Sequence, residues 1–190
     1  MMRFIARFLG SALLFAPVAT ACKSQSVVVI KTNLGSIEVE LDPAKAPITT
    51  RNFLSYVQKG HYSGAIFHRV ISNFMIQGGG LTPDLREKTK DLDPPIKNES
   101  GNGLLNQRGT IAMARTQALD SATCQFYINV VDNPALDKMR YAVFGKVIAG
   151  MDVVDKIRVV PTRTVTLPVG PPMANVPVET VLIESITLKK

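Results

Sequence analysis

One stretch decides the fold of this chain, Phe67-His68-Arg69-Val70-Ile71-Ser72-Asn73-Phe74-Met75-Ile76-Gln77-Gly78-Gly79-Gly80. Its two short apolar runs flank a polar Ser-Asn pair and so predict a β-hairpin. A two-residue turn would place Gln77 opposite His68, whereas a three-residue loop pairs Arg69 with Gln77, and both lengths are common. Because Asn-Phe lacks the Asn-Gly pattern of a tight turn, we favour the longer loop.

The loop length decides which side chains meet. Period-two alternation places Phe67 and Arg69 on one face of the first run. With the longer loop, Arg69, Met75 and Gln77 gather on one surface, and Phe74 lies at the loop end. A permanent cation, an amide and apolar bulk suit a neutral substrate with a carbonyl group. The open alternative is an ordinary edge hairpin whose arginine covers apolar surface with its stem.

The first 21 residues have the pattern of a signal peptide. Arg3 and Arg7 lie in a short basic segment, an apolar run follows, and Ala19-Thr20-Ala21 matches a signal-peptidase site. We therefore expect export. Cys22 comes directly after the expected cleavage site and leaves open a lipoprotein attached to the membrane through that thiol. Residues 22–26 form a short polar lead-in.

Residues 27–190 have the length of one domain. Without the first 21 residues the net charge falls from +7 to +5, and the basic residues form no dense cluster, so we expect no nucleic-acid partner. If Cys22 is lipidated or removed, Cys124 is a lone thiol, and we expect it to be a small buried hydrophobe. The body contains only two histidines, His61 and His68, without metal-ligand spacing, so we expect no metal site.

The rest of the chain predicts many short strands and few helices. Strands are predicted at residues 27–31, 36–41, 110–114, 125–130, 143–148 and 178–188. One helix is expected to begin at Pro47 and end by Gly60, and a second to run from Met151 to Ile157. Residues 81–105 and 161–177 read as irregular segments. This pattern favours a closed barrel or a sandwich of antiparallel strands.

Five segments form a set of motifs in a fixed order: Phe67-His68-Arg69-Val70, Phe74-Met75-Ile76-Gln77-Gly78-Gly79, Gly109-Thr110-Ile111-Ala112-Met113-Ala114, Ser121-Ala122-Thr123-Cys124-Gln125-Phe126-Tyr127-Ile128-Asn129 and Ala142-Val143-Phe144-Gly145-Lys146-Val147. Together they resemble the motifs of the cyclophilins, a family of peptidyl-prolyl cis-trans isomerases. The exported bacterial branch resembles this chain most. The resemblance implies a mainly β fold, a closed eight-stranded antiparallel barrel capped by two α-helices. It also implies a periplasmic isomerase that assists the folding of exported proteins.

The resemblance further implies the roles of individual residues. Arg69 matches the family's catalytic arginine, and Gln77 matches the residue that positions this arginine and the substrate. An apolar pocket for the proline ring is implied at Phe74, Met75, Phe126 and Leu136. Further substrate contacts are implied at Ala114, Arg115, Gln125 and Tyr141. Arg115 replaces a usual asparagine, which favours acidic peptides in the groove.

The implied partners are proline-containing unfolded or flexible polypeptides, bound by a monomer without a cofactor. Membrane attachment is expected only if Cys22 is lipidated. The alternative function is a proline-peptide-binding module or holdase that uses the same groove without important turnover. Arg69 and Gln77 favour the enzyme, because simple binding does not require a guanidinium beside the prolyl nitrogen.

Overall fold

The computed structural model describes residues 27–168 and 170–189. The expected signal peptide, the lead-in and Cys22 lie outside the described residues. In chain order the elements are β1 (Val27–Thr32), β2 (Gly35–Leu41), α1 (Pro47–Gln58), β3 (Ala65–Ile71), β4 (Met75–Gly78), β5 (Thr110–Met113), β6 (Phe126–Asn129), α2 (Pro134–Lys138), β7 (Val143–Ala149), α3 (Met151–Arg158), β8 (Thr162–Val165), β9 (Met173–Pro177) and β10 (Leu182–Leu188).

Eight of these strands close into a barrel in the order β1-β10-β3-β4-β6-β5-β7-β2, and every neighbouring pair is antiparallel. The expected closed barrel is confirmed, and the sandwich alternative is excluded. The interior of the barrel is filled by fully buried aromatic and branched side chains, among them Phe53 of α1 and Phe144 of β7. Cys124 is free and packs in this core as the small buried residue expected.

Helix α1 is tied to the long irregular segment that precedes β5. Pro47 opens the helix, and no neighbouring side chain caps it. Instead Glu99 accepts two hydrogen bonds there, from the backbone N–H of Ile48 at 3.0 Å and of Thr49 at 2.7 Å. A carboxylate at this end satisfies otherwise unpaired N–H groups and faces the positive end of the helix dipole. The segment is therefore held against the barrel although it contains no strand or helix of its own.

One part of the predicted secondary structure is wrong, and one short helix was not predicted. Residues 161–177 were expected to be a loop, but β8 and β9 lie there and form a separate two-stranded sheet. Most residues of β8 are exposed, so its sequence has no apolar alternation to detect. Besides the two expected helices the described part of the chain has a third, α2, which has five residues, buries only Leu136 and is too short to show an apolar period. No helix within the described ranges is long and apolar enough to span a membrane.

The central hairpin has the register of the longer loop. Arg69 pairs with Gln77 and Ile71 pairs with Met75, as predicted. The register shifts between Phe67 and Arg69, because Phe67 pairs with Gly78 and leaves one extra residue on β3. On one side of such a bulge, the residues that would point to one face of the sheet point to the other face. The expectation that Phe67 shares a face with Arg69 is therefore wrong, and Phe67 is fully buried in the barrel interior.

Candidate active site

A groove of about 400 Å³ lies on the outer face of the barrel, over the hairpin of β3 and β4. Its lining consists of Arg69, Phe74, Met75, Gln77, Ala114, Arg115, Tyr127, Leu136 and Tyr141. Eight of the ten expected site residues are in this set. The size lies in the range of sites that hold small ligands or short peptide segments.

The centre of the groove is a row of paired residues across four strands. Arg69 of β3 pairs with Gln77 of β4, which pairs with Tyr127 of β6, which pairs with Ala112 of β5. Directly paired residues point to the same face and have Cβ atoms about 5 Å apart. The register of four strands therefore brings a cation, an amide and an aromatic ring side by side.

Polar side chains along this row are joined by hydrogen bonds. Arg69 Nη1 donates to Gln77 Oε1 at 3.4 Å, and Gln77 Nε2 donates to Gln125 Oε1 at 3.0 Å. Gln125 lies across Gly80, where an added Cβ would come within 2.6 Å of the Gln125 amide nitrogen. The glycine thus leaves room for the amide that orients Gln77.

The guanidinium of Arg69 has no acidic partner in the described part of the chain. No carboxylate there lies within the 4 Å of an ion pair with it. The residue is half-buried, and its positive charge faces the groove. Its remaining N–H donors are therefore available to a bound ligand.

The apolar floor of the groove is a cluster separate from the barrel interior. Met75, Tyr127 and Leu136 are buried in it, and Phe74 and Tyr141 pack against its edge. Aromatic and aliphatic walls of this kind suit a small apolar ring. Burial strongly raises the pKa of the Tyr127 hydroxyl, so this residue is neutral at physiological pH.

Phe126 does not belong to this groove. It is fully buried, with ring centroids at 5.5 Å from Tyr62, 5.6 Å from Phe53 and 5.9 Å from Phe67. The expectation that Phe126 contacts the proline ring is therefore wrong. Alternation along β6 turns Phe126 inward and the next residue, Tyr127, outward. That same alternation was the signal in the sequence that could have identified Tyr127.

A buried network of asparagines supports the groove from behind. The Tyr127 hydroxyl donates to Asn106 Oδ1 at 2.7 Å, and Asn106 Nδ2 donates to Asp137 Oδ1 of α2 at 2.8 Å. Asn133 Nδ2 donates to the carbonyl of Phe74 at 2.8 Å. These bonds join β6, α2 and the hairpin loop. These bonds could not be predicted, because Asn106 lies in a segment without periodic pattern.

Arg115 forms one edge of the groove. Its guanidinium lies over the Tyr141 ring, 4.4 Å from the centroid, and donates to the carbonyls of Thr116, at 2.8 Å, and Met139. The stacking and the hydrogen bonds hold its planar group in one orientation. The groove thus carries a second fixed positive charge.

His68 lies next to Arg69 in the chain but does not line the groove. It is only 5 % exposed, and burial, with the adjacent charge of Arg69, lowers its pKa to about 4. The imidazole is therefore neutral at physiological pH. In the described part of the chain, no three His, Cys, Asp or Glu side chains lie close enough together to hold a metal ion.

Comparison with known families places these features in one class. Residues 27–188 match the family described as cyclophilin type peptidyl-prolyl cis-trans isomerase/CLD. The chain belongs to this family, and its fold, with a closed eight-stranded barrel, is the cyclophilin fold. Its activity is the cis-trans isomerisation of peptide bonds that precede proline.

Individual relatives agree with this assignment. A peptidyl-prolyl cis-trans isomerase of Acinetobacter baylyi is 52% identical over 194 residues, which covers 100% of both chains. Peptidyl-prolyl cis-trans isomerase B of Escherichia coli is 49% identical and covers 86% of this chain and 100% of its own. Among solved structures, a cyclophilin type isomerase of Cryptosporidium parvum, crystallised in the presence of the dipeptide Ala-Pro, has a TM-score of 0.70. It is 26% identical and covers 86% of this chain and 99% of its own.

Proposed function

We propose that the groove binds X-Pro segments of unfolded or flexible polypeptides and that Arg69 is the catalytic residue. The proline ring lies on the apolar floor formed by Phe74, Met75, Tyr127 and Leu136. In this position the prolyl nitrogen lies near the guanidinium of Arg69. The observation that carries the proposal is this guanidinium, held over the groove by Gln77 and without an acidic partner among the described residues.

The chemistry needs only a well-placed donor. Rotation about an X-Pro bond is opposed by the donation of the nitrogen lone pair into the carbonyl, and it takes tens to hundreds of seconds without a catalyst. In the twisted transition state the lone pair returns to the nitrogen, which then accepts a hydrogen bond. A guanidinium N–H of Arg69 supplies that bond, and because the bond is stronger in the twisted state it lowers the barrier. No proton transfer or covalent intermediate is required.

Gln77 acts on the arginine and not on the reacting bond. Its Oε1 accepts from Arg69 Nη1, and its own amide is fixed by Gln125. The chain of amides restricts the rotation of a long and flexible guanidinium side chain. Less entropy is then lost when the donor meets the prolyl nitrogen.

We also propose that the enzyme acts on exported proteins. The basic segment, the apolar run and the Ala19-Thr20-Ala21 site support a cleaved signal peptide and a periplasmic location. Cys22 supports a membrane-attached form as the alternative outcome of processing. The intact mass of the protein purified from a cell envelope fraction distinguishes the three states, since uncleaved, cleaved and lipidated chains differ by hundreds of daltons or more.

The mechanism is tested by turnover of a short X-Pro peptide. We expect Arg69→Ala to lower kcat/KM on the order of 100-fold, which is about 2.7 kcal/mol of transition-state stabilisation, with an unchanged thermal transition. Arg163→Ala, an exposed arginine outside the groove, is the matched control. Wild-type turnover in the Arg69 variant would refute the mechanism. Suppression of client aggregation by that variant, with turnover lost, would instead favour the holdase function.

A further inference from the structure

The charged side chains that line the groove have one sign. Arg69 and Arg115 are both cationic, and the other lining residues are uncharged. Neither guanidinium forms an ion pair within the described ranges of the chain. A substrate in this groove therefore meets a positive field. Catalysis requires only Arg69, so Arg115 has no part in the proposed reaction.

The position of Arg115 is fixed before any ligand arrives. The group is stacked 4.4 Å from the centroid of Tyr141 and donates to the carbonyls of Thr116, at 2.8 Å, and Gln117, at 3.3 Å, as well as to Met139. Carbonyl oxygens are dipoles without net charge, so they orient the guanidinium but do not neutralise it. The ring and the backbone already restrict the Arg115 side chain. Binding of an anion would therefore cost little additional entropy of this side chain.

We propose that Arg115 is a specificity residue that makes the groove prefer substrates with an acidic residue adjacent to the proline. This inference rests on the proposed function of the groove. A carboxylate beside the proline is attracted by Arg115 and, at longer range, by Arg69, while a lysine in the same place is repelled by both. Because the groove is open to water, the attraction is moderate and is screened by salt.

The test compares kcat/KM for peptides that differ at one position next to proline. Two series carry Glu, Gln or Lys directly before or directly after the proline. We expect the ratio of Glu to Lys to reach about fivefold or more in at least one series at low salt, and to fall toward one at about 0.5 M salt. A ratio near one in both series at low salt would overturn the inference.

Variants then assign the preference to one residue. Arg115→Gln should lower the Glu-to-Lys ratio at least about threefold, whereas Arg115→Lys should retain most of it because the charge remains. Arg163→Gln removes the same charge from an exposed site outside the groove and should leave the ratio unchanged. An equal ratio in wild type and Arg115→Gln, or an equal fall in Arg163→Gln, would refute the assignment.

The ratio is taken within each variant, so a general loss of activity does not imitate a loss of preference. The Gln peptides report the isomerase activity itself. If wild-type protein accelerates the Gln peptides and shows no charge preference, only the specificity inference fails. If it accelerates none of the peptides, the proposed function of the groove fails.

Discussion

Two adjacent residues of β6, Phe126 and Tyr127, offer a matched test of the division between core and groove. We consider Phe126→Leu and Tyr127→Leu, each of which removes an aromatic ring from a buried position on the same strand. The ring of Phe126 packs against three aromatic rings of the barrel interior. Tyr127 lines the groove and donates its hydroxyl to Asn106.

Both variants should be destabilised by similar amounts. Replacement of Phe126 loses roughly three buried carbon atoms and the edge-to-face contacts, about 2–3 kcal/mol in total. Replacement of Tyr127 loses comparable apolar area and one hydrogen bond, again about 2–3 kcal/mol. For a domain of this size each should lower Tm by about 4–12 °C. Thermal unfolding followed by circular dichroism measures this effect.

Turnover should separate the two variants. Loss of the Tyr127 ring removes part of the wall against the proline, so kcat/KM should fall about tenfold, equivalent to about 1.4 kcal/mol. Phe126→Leu should stay within about threefold of wild type, since its ring does not reach the groove. The peptide assay is run well below both Tm values so that unfolding does not contribute. Equal losses of turnover in the two variants would refute the separation of core and groove.

Three further predictions concern a buried imidazole and a glycine. Turnover should be nearly constant from about pH 6 to 8, because the proposed mechanism transfers no proton and His68, with a pKa of about 4, stays neutral. A titration near pH 6.5 in the rate profile would make His68 a participant. Because burial lowers the His68 pKa, the unfolded chain binds a proton more readily than the folded one between about pH 6.5 and 4. The free energy of unfolding should therefore fall by about 3 kcal/mol as the pH falls through this range. Urea unfolding at several pH values measures this loss. Gly80→Ala should displace Gln125 and lower kcat/KM about tenfold. Tm should change little, because the added Cβ meets a flexible side chain. Unchanged kcat/KM would contradict the role given to Gln125.

The part of the fold that the sequence predicted best is the hairpin. Its loop chemistry was sufficient to choose the register in which Arg69 meets Gln77, because the tight-turn alternative requires residues that are absent. The bulge at His68 was not predictable, since nothing in the local alternation distinguishes a shifted strand from a regular one. Helix α2 and the sheet of β8 and β9 were missed because short or exposed elements have no apolar period.

Eight of the ten expected site residues line the groove, and the misplacement of Phe126 has a structural cause. Motif resemblance identifies a segment such as Gln125-Phe126-Tyr127, but neighbouring residues on a strand face opposite sides, so an offset of one residue exchanges core for groove. The asparagine network behind the groove could not be predicted, because its members come from β6, α2 and an irregular segment that only the folded barrel brings together.

The row of paired residues explains why the site depends on the register of the strands. Arg69, Gln77 and Tyr127 come from three strands, and each faces the groove only because every pairing in the row is held. Gly78 is paired with both Phe67 and Phe126 in the adjacent row, and this second row faces the interior. A slip of one residue in β6 would bring Phe126 beside Gln77 and bury Tyr127 among the core aromatics. The barrel core therefore also specifies the site, since the fully buried rings of Phe67 and Phe126 fix the register that presents the guanidinium, the amide and the tyrosine on the other face.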